Sequence, residues 1–146
     1  MTRSLIREHL FKLLFRIEFN SPEDMPDQVR LFFQDSFADE DHTSTGSDIP
    51  EEDREYISSK YDSIIAKLPE IDAKIDGAAK GWSISRIGKV ELSVLRLAVY
   101  EMLYDDDIPV GVAIDEAVEL SKRFGQESSG PFVNGILATL AKQSVL

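Results

Sequence analysis

The stretch Val90-Glu91-Leu92-Ser93-Val94-Leu95-Arg96-Leu97-Ala98-Val99-Tyr100-Glu101-Met102-Leu103 decides the fold. Its apolar residues are Val90, Leu92, Val94, Leu95, Leu97, Ala98, Val99, Met102 and Leu103. At 100° per residue they fall nearly all round a helix rather than along one stripe. A helix of that kind is central and buried on most sides. Asp105 to Pro109 ends it and restarts the chain. Val110 to Phe124 reads as the next helix, closed by Gly125. Ser128 or Ser129 caps a last helix running through Leu140, with Gly130-Pro131 in its first turn. Upstream, Gly81 marks a turn, and Trp82 reads as a core anchor. Residues 82–140 therefore read as packed helices that hold partners.

Towards the N-terminus the pattern is amphipathic. Ile6, Leu10, Leu13, Leu14 and Ile17 share one face of a helix over residues 3–19. Ser21-Pro22-Glu23-Asp24 is a helix start, with a capping hydroxyl, a first-turn proline and acids at the positive dipole end. That helix runs to about Ala38, with Val29, Phe32, Phe33 and Phe37 inward, and Pro26 makes its first turn irregular. Asp39 to Asp48 is polar, small and acidic, a loop. Pro50-Glu51-Glu52-Asp53 opens another helix whose inner face is Tyr56, Ile57, Tyr61, Ile64, Ile65 and Leu68. Pro69 breaks it, and a shorter helix follows through Ala79. No alternating run is long enough for a sheet. The expectation is an all-α fold of about seven helices in one domain of 146 residues. Two packed helical subdomains are expected, the N-terminal about 1–80 and the C-terminal about 81–146.

Composition narrows the function classes. Hydrophobic residues make up 42% of the chain, enough for a core and too many for a disordered chain. No apolar run approaches the ~18–20 residues that span a bilayer. The N-terminus is broken by charge and has no small-residue cleavage site, so it reads as a mature helix. There are no cysteines, which removes disulfides and thiolate chemistry and accords with a cytoplasmic protein. The net charge is −11. Between Glu23 and Glu55, twelve acids face only Arg30 and Arg54, a net of −10, which leaves −1 for everything else. Residues 1–20 carry Arg3, Arg7, Lys12 and Arg16 against Glu8 and Glu18. An anionic partner can dock there despite the total charge, without much long-range steering.

Catalytic and metal motifs are missing. Asp105-Asp106-Asp107 lacks the spacing of a calcium loop and reads as a solvated turn. His9 and His42 have no zinc-ligand context. No Gly-rich phosphate loop or nucleophile elbow is present, and Ser83 and Ser85 read as capping groups. No catalytic residue, metal or cofactor is expected. The first helix offers a binding pattern instead. Arg3, Arg7, Phe11 and Phe15 step by four, each about 40° beyond the last. Arginine pairs with phosphate, and aromatic rings stack on the bases of single-stranded RNA at ~1–3 kcal/mol each. The competing reading makes both phenylalanines core and both arginines solvated. The start of the last helix, Gln126 to Pro131, is a second candidate, because free backbone N–H groups accept phosphate there.

The C-terminal half also carries a resemblance. Trp82-x-x-x-Arg86-Ile87, Val90-Glu91, Leu95-Arg96-Leu97-Ala98-Val99-Tyr100-Glu101 and Asp107-Ile108-Pro109 resemble the bacterial NusB antitermination family. So do Val112-Ala113-Ile114-Asp115-Glu116-Ala117-Val118-Glu119-Leu120, Lys122-x-Phe124-Gly125 and Phe132-Val133-Asn134-Gly135-Ile136-Leu137. These blocks keep the family's order and spacing from Trp82 to Leu137. The N-terminal half resembles the family only in its basic first helix, and residues 20–80 add length and helicity.

The resemblance implies two helical subdomains and a non-enzymatic transcription factor. It implies pairing with ribosomal protein S10 (NusE) and binding of boxA-type single-stranded RNA in nascent transcripts, notably of ribosomal RNA operons. The pair acts in an antitermination complex with RNA polymerase. RNA contacts carry over to Arg3, Arg7, Lys12 and Phe15, and to Gln126, Glu127, Ser128 and Ser129. The NusE surface carries over to Glu91 and Phe132, with Phe15 at its edge. Both a monomer and a homodimer fit the resemblance. Ser4, Leu5 and Ile6 interrupt what is a denser arginine cluster in relatives, which predicts weaker and less salt-sensitive RNA binding by the lone protein. Phe15 stands for a frequent tyrosine, and Asp115 for a usual asparagine. Glu101 and Asn134 read as structural polar residues. An acidic surface complements a basic ribosomal protein, mainly speeding encounter. Two other readings stay open. One is an RNA-binding module of an rRNA cytosine methyltransferase, for which these residues hold neither a Gly-rich motif nor a cysteine. The other is a protein-only helical adaptor with the Arg/Phe stripe as core.

Overall fold

The computed structural model describes residues 1–35, 45–81 and 83–144. The expected core anchor Trp82, the inward Phe37, His42 and most of the 39–48 loop lie outside the described residues. Seven α-helices are present among those described: α1 (Arg3–Phe15), α2 (Met25–Gln34), α3 (Glu51–Ala66), α4 (Leu68–Ala78), α5 (Lys89–Tyr104), α6 (Val110–Phe124) and α7 (Ser129–Ser144). No strand occurs among the described residues. The all-α expectation holds. None of these helices is long and apolar enough to cross a membrane.

The chain separates into two compact units, Met1–Ser63 and Ile64–Leu146. The division falls inside α3, earlier than the expected point near residue 80. The reason is the packing of α4, which lies against α5 and α7. Ile71 and Ile75 of α4 are fully buried. Asp72 of α4 receives Arg96 of α5 side-on, Nε to Oδ1 at 2.9 Å and a terminal nitrogen to Oδ2 at 3.0 Å.

The C-terminal unit is built round α5, which packs on α4, α6 and α7. Every residue from Leu92 to Val99 is buried, as the all-round apolar pattern requires. Facing side chains include Ala113, Ala117 and Leu120 of α6, and Val133, Ile136, Leu137 and Leu140 of α7. Gly125 ends α6, but not in the left-handed conformation its position suggests: φ is −101°. A Cβ there would sit 2.6 Å from Ser129 Oγ and 2.7 Å from the Ser121 carbonyl. Glycine is needed for close approach, not for a positive φ.

In the N-terminal unit, Leu10, Leu13 and Leu14 of α1 are buried. The helix does not run to Phe19; Arg16–Phe19 tightens into a 3-10 turn. Arg16 leaves the helix to donate to the Gln28 carbonyl at 3.1 Å and to stand over the Phe32 ring at 5.3 Å. Pro26 likewise splits the second helical segment, giving a 3-10 turn at Pro22–Asp24 before α2. Gly46 presses on the backbone of Phe32, where any Cβ would overlap the carbonyl oxygen. Tyr56, expected inward on α3, is 46% exposed, while Ile57, Tyr61 and Ile64 are buried.

Candidate nucleic-acid interface

The first candidate surface is α1. Thr2 caps it, its Oγ1 accepting the Leu5 N–H at 3.1 Å. Arg3 is exposed, but Arg7, one turn on, is only 5% exposed. An arginine at the margin of an apolar face covers that face with its aliphatic stem. Phe11 is 3% exposed and belongs to the core. Phe15 is half-buried, with Phe19 edge-on to it at 4.9 Å between ring centres. Lys12 is half-buried and pairs with the buried Glu8 at 3.2 Å. The stripe therefore divides: Arg3 and Phe15 reach the surface, while Arg7 and Phe11 are drawn in.

Phe19 is the functional candidate that the sequence alone does not single out. It is 60% exposed. It continues the same step of four, Arg3-Arg7-Phe11-Phe15-Phe19, which is the signal that could find it. Phe15 and Phe19 together present an aromatic edge on the N-terminal unit. His9 is 1% exposed and lies edge-on to Phe32 at 5.9 Å, a packed histidine.

The second surface is the turn between α6 and α7. Gln126, Glu127 and Ser128 are exposed. Ser129 is 2% exposed, and its hydroxyl is used inside the chain. It accepts the Gln126 N–H at 2.9 Å and donates to Glu91 Oε1 at 2.5 Å. Glu91 is half-buried in the first turn of α5, and its carboxylate folds back against Gly88. Glu91 and Ser129 thus form a brace joining the starts of α5 and α7. Phe132 is half-buried one turn into α7. Glu101 is buried at 1%, in keeping with a structural role, whereas Asn134 is exposed rather than packed.

Other polar groups resolve into local structure. The Asp107 N–H donates to Asp105 Oδ1 at 3.1 Å, which makes the aspartate run a turn. Ser83 occupies a helix-start position without capping it; its hydroxyl lies 2.9 Å from that of Ser85. Asp76 accepts the Ile84 N–H instead, at 3.1 Å.

A profile of the NusB family matches residues 4–142, which takes in α1 and the middle helices as well as the C-terminal blocks. The chain belongs to the NusB family. The transcription antitermination protein NusB of Lachnoclostridium phytofermentans is 48% identical over 138 residues, covering 94% of this chain and 97% of the relative. Among solved structures, a NusB of T. maritima matches with a TM-score of 0.77 at 36% identity, covering 98% of this chain and 92% of that one. A structure of the antitermination factors NusB and NusE in complex with dsRNA matches with a TM-score of 0.74 at 26% identity, covering 97% and 96%. The NusB likeness is thus nearly full-length and extends through residues 20–80, where no motif is visible by eye.

Proposed function

We propose that this NusB-family chain is a transcription antitermination factor. It pairs with NusE, and the pair binds boxA-type RNA in nascent transcripts, notably those of ribosomal RNA operons, within an antitermination complex with RNA polymerase. The single observation that carries this reading is the 48% identity, over nearly the whole of both chains, to a protein described as an antitermination factor. The fold match to a NusB–NusE–RNA complex supports the two partners.

The role is one of binding rather than catalysis, and it places the chain with the transcription machinery in the cytoplasm. On the N-terminal unit, Arg3 supplies phosphate contact, Arg7 adds positive charge one turn on, and Lys12 adds a cation near the end of α1, where Glu8 pairs with it. Phe15 supplies a stacking face. On the C-terminal unit, Gln126, Glu127 and Ser128 offer exposed polar groups to RNA, and Ser129 shapes the turn from below. Phe132 is the apolar contact for NusE on the C-terminal unit, and Phe15 is a NusE contact on the N-terminal unit. Glu91 contributes to the NusE surface while bracing Ser129. Dispersed positive charge and few rings predict modest RNA affinity for the chain alone, so NusE supplies the remainder.

Reconstituted transcription tests this reading. A template carrying boxA upstream of a terminator should show more read-through when the chain and NusE are both added to the elongation machinery. Read-through unchanged by the chain would refute it.

A further inference from the structure

The Glu91–Ser129 brace has a consequence for charge. It fastens the first turn of α5 to the first turn of α7 within one compact unit. Just upstream of Glu91, residues 77–90 carry Lys80, Arg86 and Lys89 and no acid, in a chain of net charge −11. Ile87 is 7% exposed and pins this segment, while Arg86, Gly88 and Lys89 are exposed. A side chain at Gly88 would run into the Glu91 carboxylate. Arg86 is two residues from Gly88, so the two Cα atoms lie within about 7 Å.

A third cation, Lys122 of α6, lies beside the start of α7. The stem of Lys122 passes beside Gly130, where an added Cβ would lie 3.5 Å from its Cγ and 3.8 Å from its Cε. Lys122 is 63% exposed, and its ion pair with Glu119 is long, at 3.7 Å. Such an exposed pair holds the ammonium weakly. The Glu91 carboxylate keeps its charge while accepting the Ser129 hydroxyl, but it is half-buried and folded back on the brace, whereas Arg86 and Lys89 are exposed. Glu127 is the one acid in the exposed turn itself.

We propose that Arg86, Lys89 and Lys122 form a phosphate-binding edge beside the Gln126–Ser128 turn, along which the backbone of bound RNA runs. The inference rests on the RNA-binding reading above and assigns three residues which that reading leaves without a role. An acidic protein that binds a polyanion must gather its cations locally, and this corner of the C-terminal unit does so. Contacts of this kind position the strand and do not read its bases.

The test is fluorescence anisotropy of labelled boxA RNA with the full chain and NusE, titrated between about 50 and 200 mM salt. Each phosphate contact removed should lower the magnitude of the log K against log salt slope by about 0.7. The variant R86Q/K89Q/K122Q should therefore lose about 2 from the slope and bind more weakly at low salt. Glu127→Gln should bind more tightly. Lys142→Gln, about 20 Å further along α7, should keep the wild-type slope. Arg86→Gln alone should lose about 0.7, which gives a readout if the triple variant melts early. A wild-type slope in both R86Q/K89Q/K122Q and Arg86→Gln overturns the edge and leaves the RNA-binding reading standing. An equal loss in Lys142→Gln also overturns it, because the effect is then general charge. Absence of RNA binding by the wild-type chain with NusE overturns the underlying reading itself.

Discussion

Single residues carry two tests of the packing. Tyr61 is 5% exposed, and burial, then the nearby Asp62 carboxylate, push its phenol above the usual 10.0. A raised folded-state pKa means that the folded chain keeps a proton which the unfolded chain gives up. Stability from this group is whole below pH 10 and is lost as pH rises towards the folded value. Tyr61→Phe should flatten that alkaline loss in melting curves recorded from pH 9 upward; an unchanged loss would assign it elsewhere. Arg96 and Asp72 form the second test. Arg96 keeps 9% of its side chain exposed and Asp72 28%. Asp72→Ala leaves a buried guanidinium short of its partner and should cost about 1–3 kcal/mol, below the figure for a fully buried pair. Asp27→Ala breaks a pair in which both partners are more than half exposed and should cost well under 1 kcal/mol. Denaturant unfolding of both variants decides it. The Asp72–Arg96 contact was not legible in the sequence, unlike the i,i+3 pair of Asp27 and Arg30. Asp72 and Arg96 are 24 residues apart, and periodicity carries no information about which polar groups meet across helices. The Glu91–Ser129 brace, 38 residues apart, was hidden for the same reason.

At the scale of elements, legibility followed redundancy. α5 was readable because an all-round apolar helix of that length has one stable place, the centre. Its prediction is correspondingly sharp: Leu95 is fully buried, and Leu95→Ala should cost about 2–5 kcal/mol. A loss near zero would show that α5 is not the core. α1 was readable as a helix but not to its end, because the turn to 3-10 geometry at Arg16 depends on Gln28 and Phe32 from another helix. That turn is what leaves Phe19 in the open. The Arg/Phe stripe was half legible. A step of four drifts round the helix, so its members meet different surroundings, and sequence does not show where the apolar face stops. Arg7 and Phe11 fell inside that edge, while Arg3 and Phe15 fell at or beyond it. The functional counterpart follows. Arg3→Ala and Phe15→Ala should each weaken RNA binding in the presence of NusE, Arg3 by lowering the salt slope by about 0.7. Phe15→Ala should act through lost stacking, at ~1–3 kcal/mol, with the slope preserved. Equal slopes for all three proteins would remove Arg3 from the interface.

For the whole molecule, charge distribution matters more than its sum. The net of −11 is concentrated between Glu23 and Glu55. The candidate RNA surfaces lie on other elements, α1 in one unit and the α6–α7 turn in the other. An acidic chain of this kind is suited to recruit a basic protein first and to bind RNA as part of a pair, with complementary charge speeding encounter. The NusB likeness covers nearly the full chain, and the proposed function has the chain and NusE recognise boxA together. The most direct test is a titration of labelled boxA RNA with the chain, with NusE, and with both, beside a scrambled RNA of the same composition. Both proteins together should bind boxA at least about tenfold more tightly than either alone, a coupling of roughly 1.4 kcal/mol, and should lose that gain on the scrambled RNA. Equal binding with and without NusE, or equal binding of the two RNAs, would contradict it.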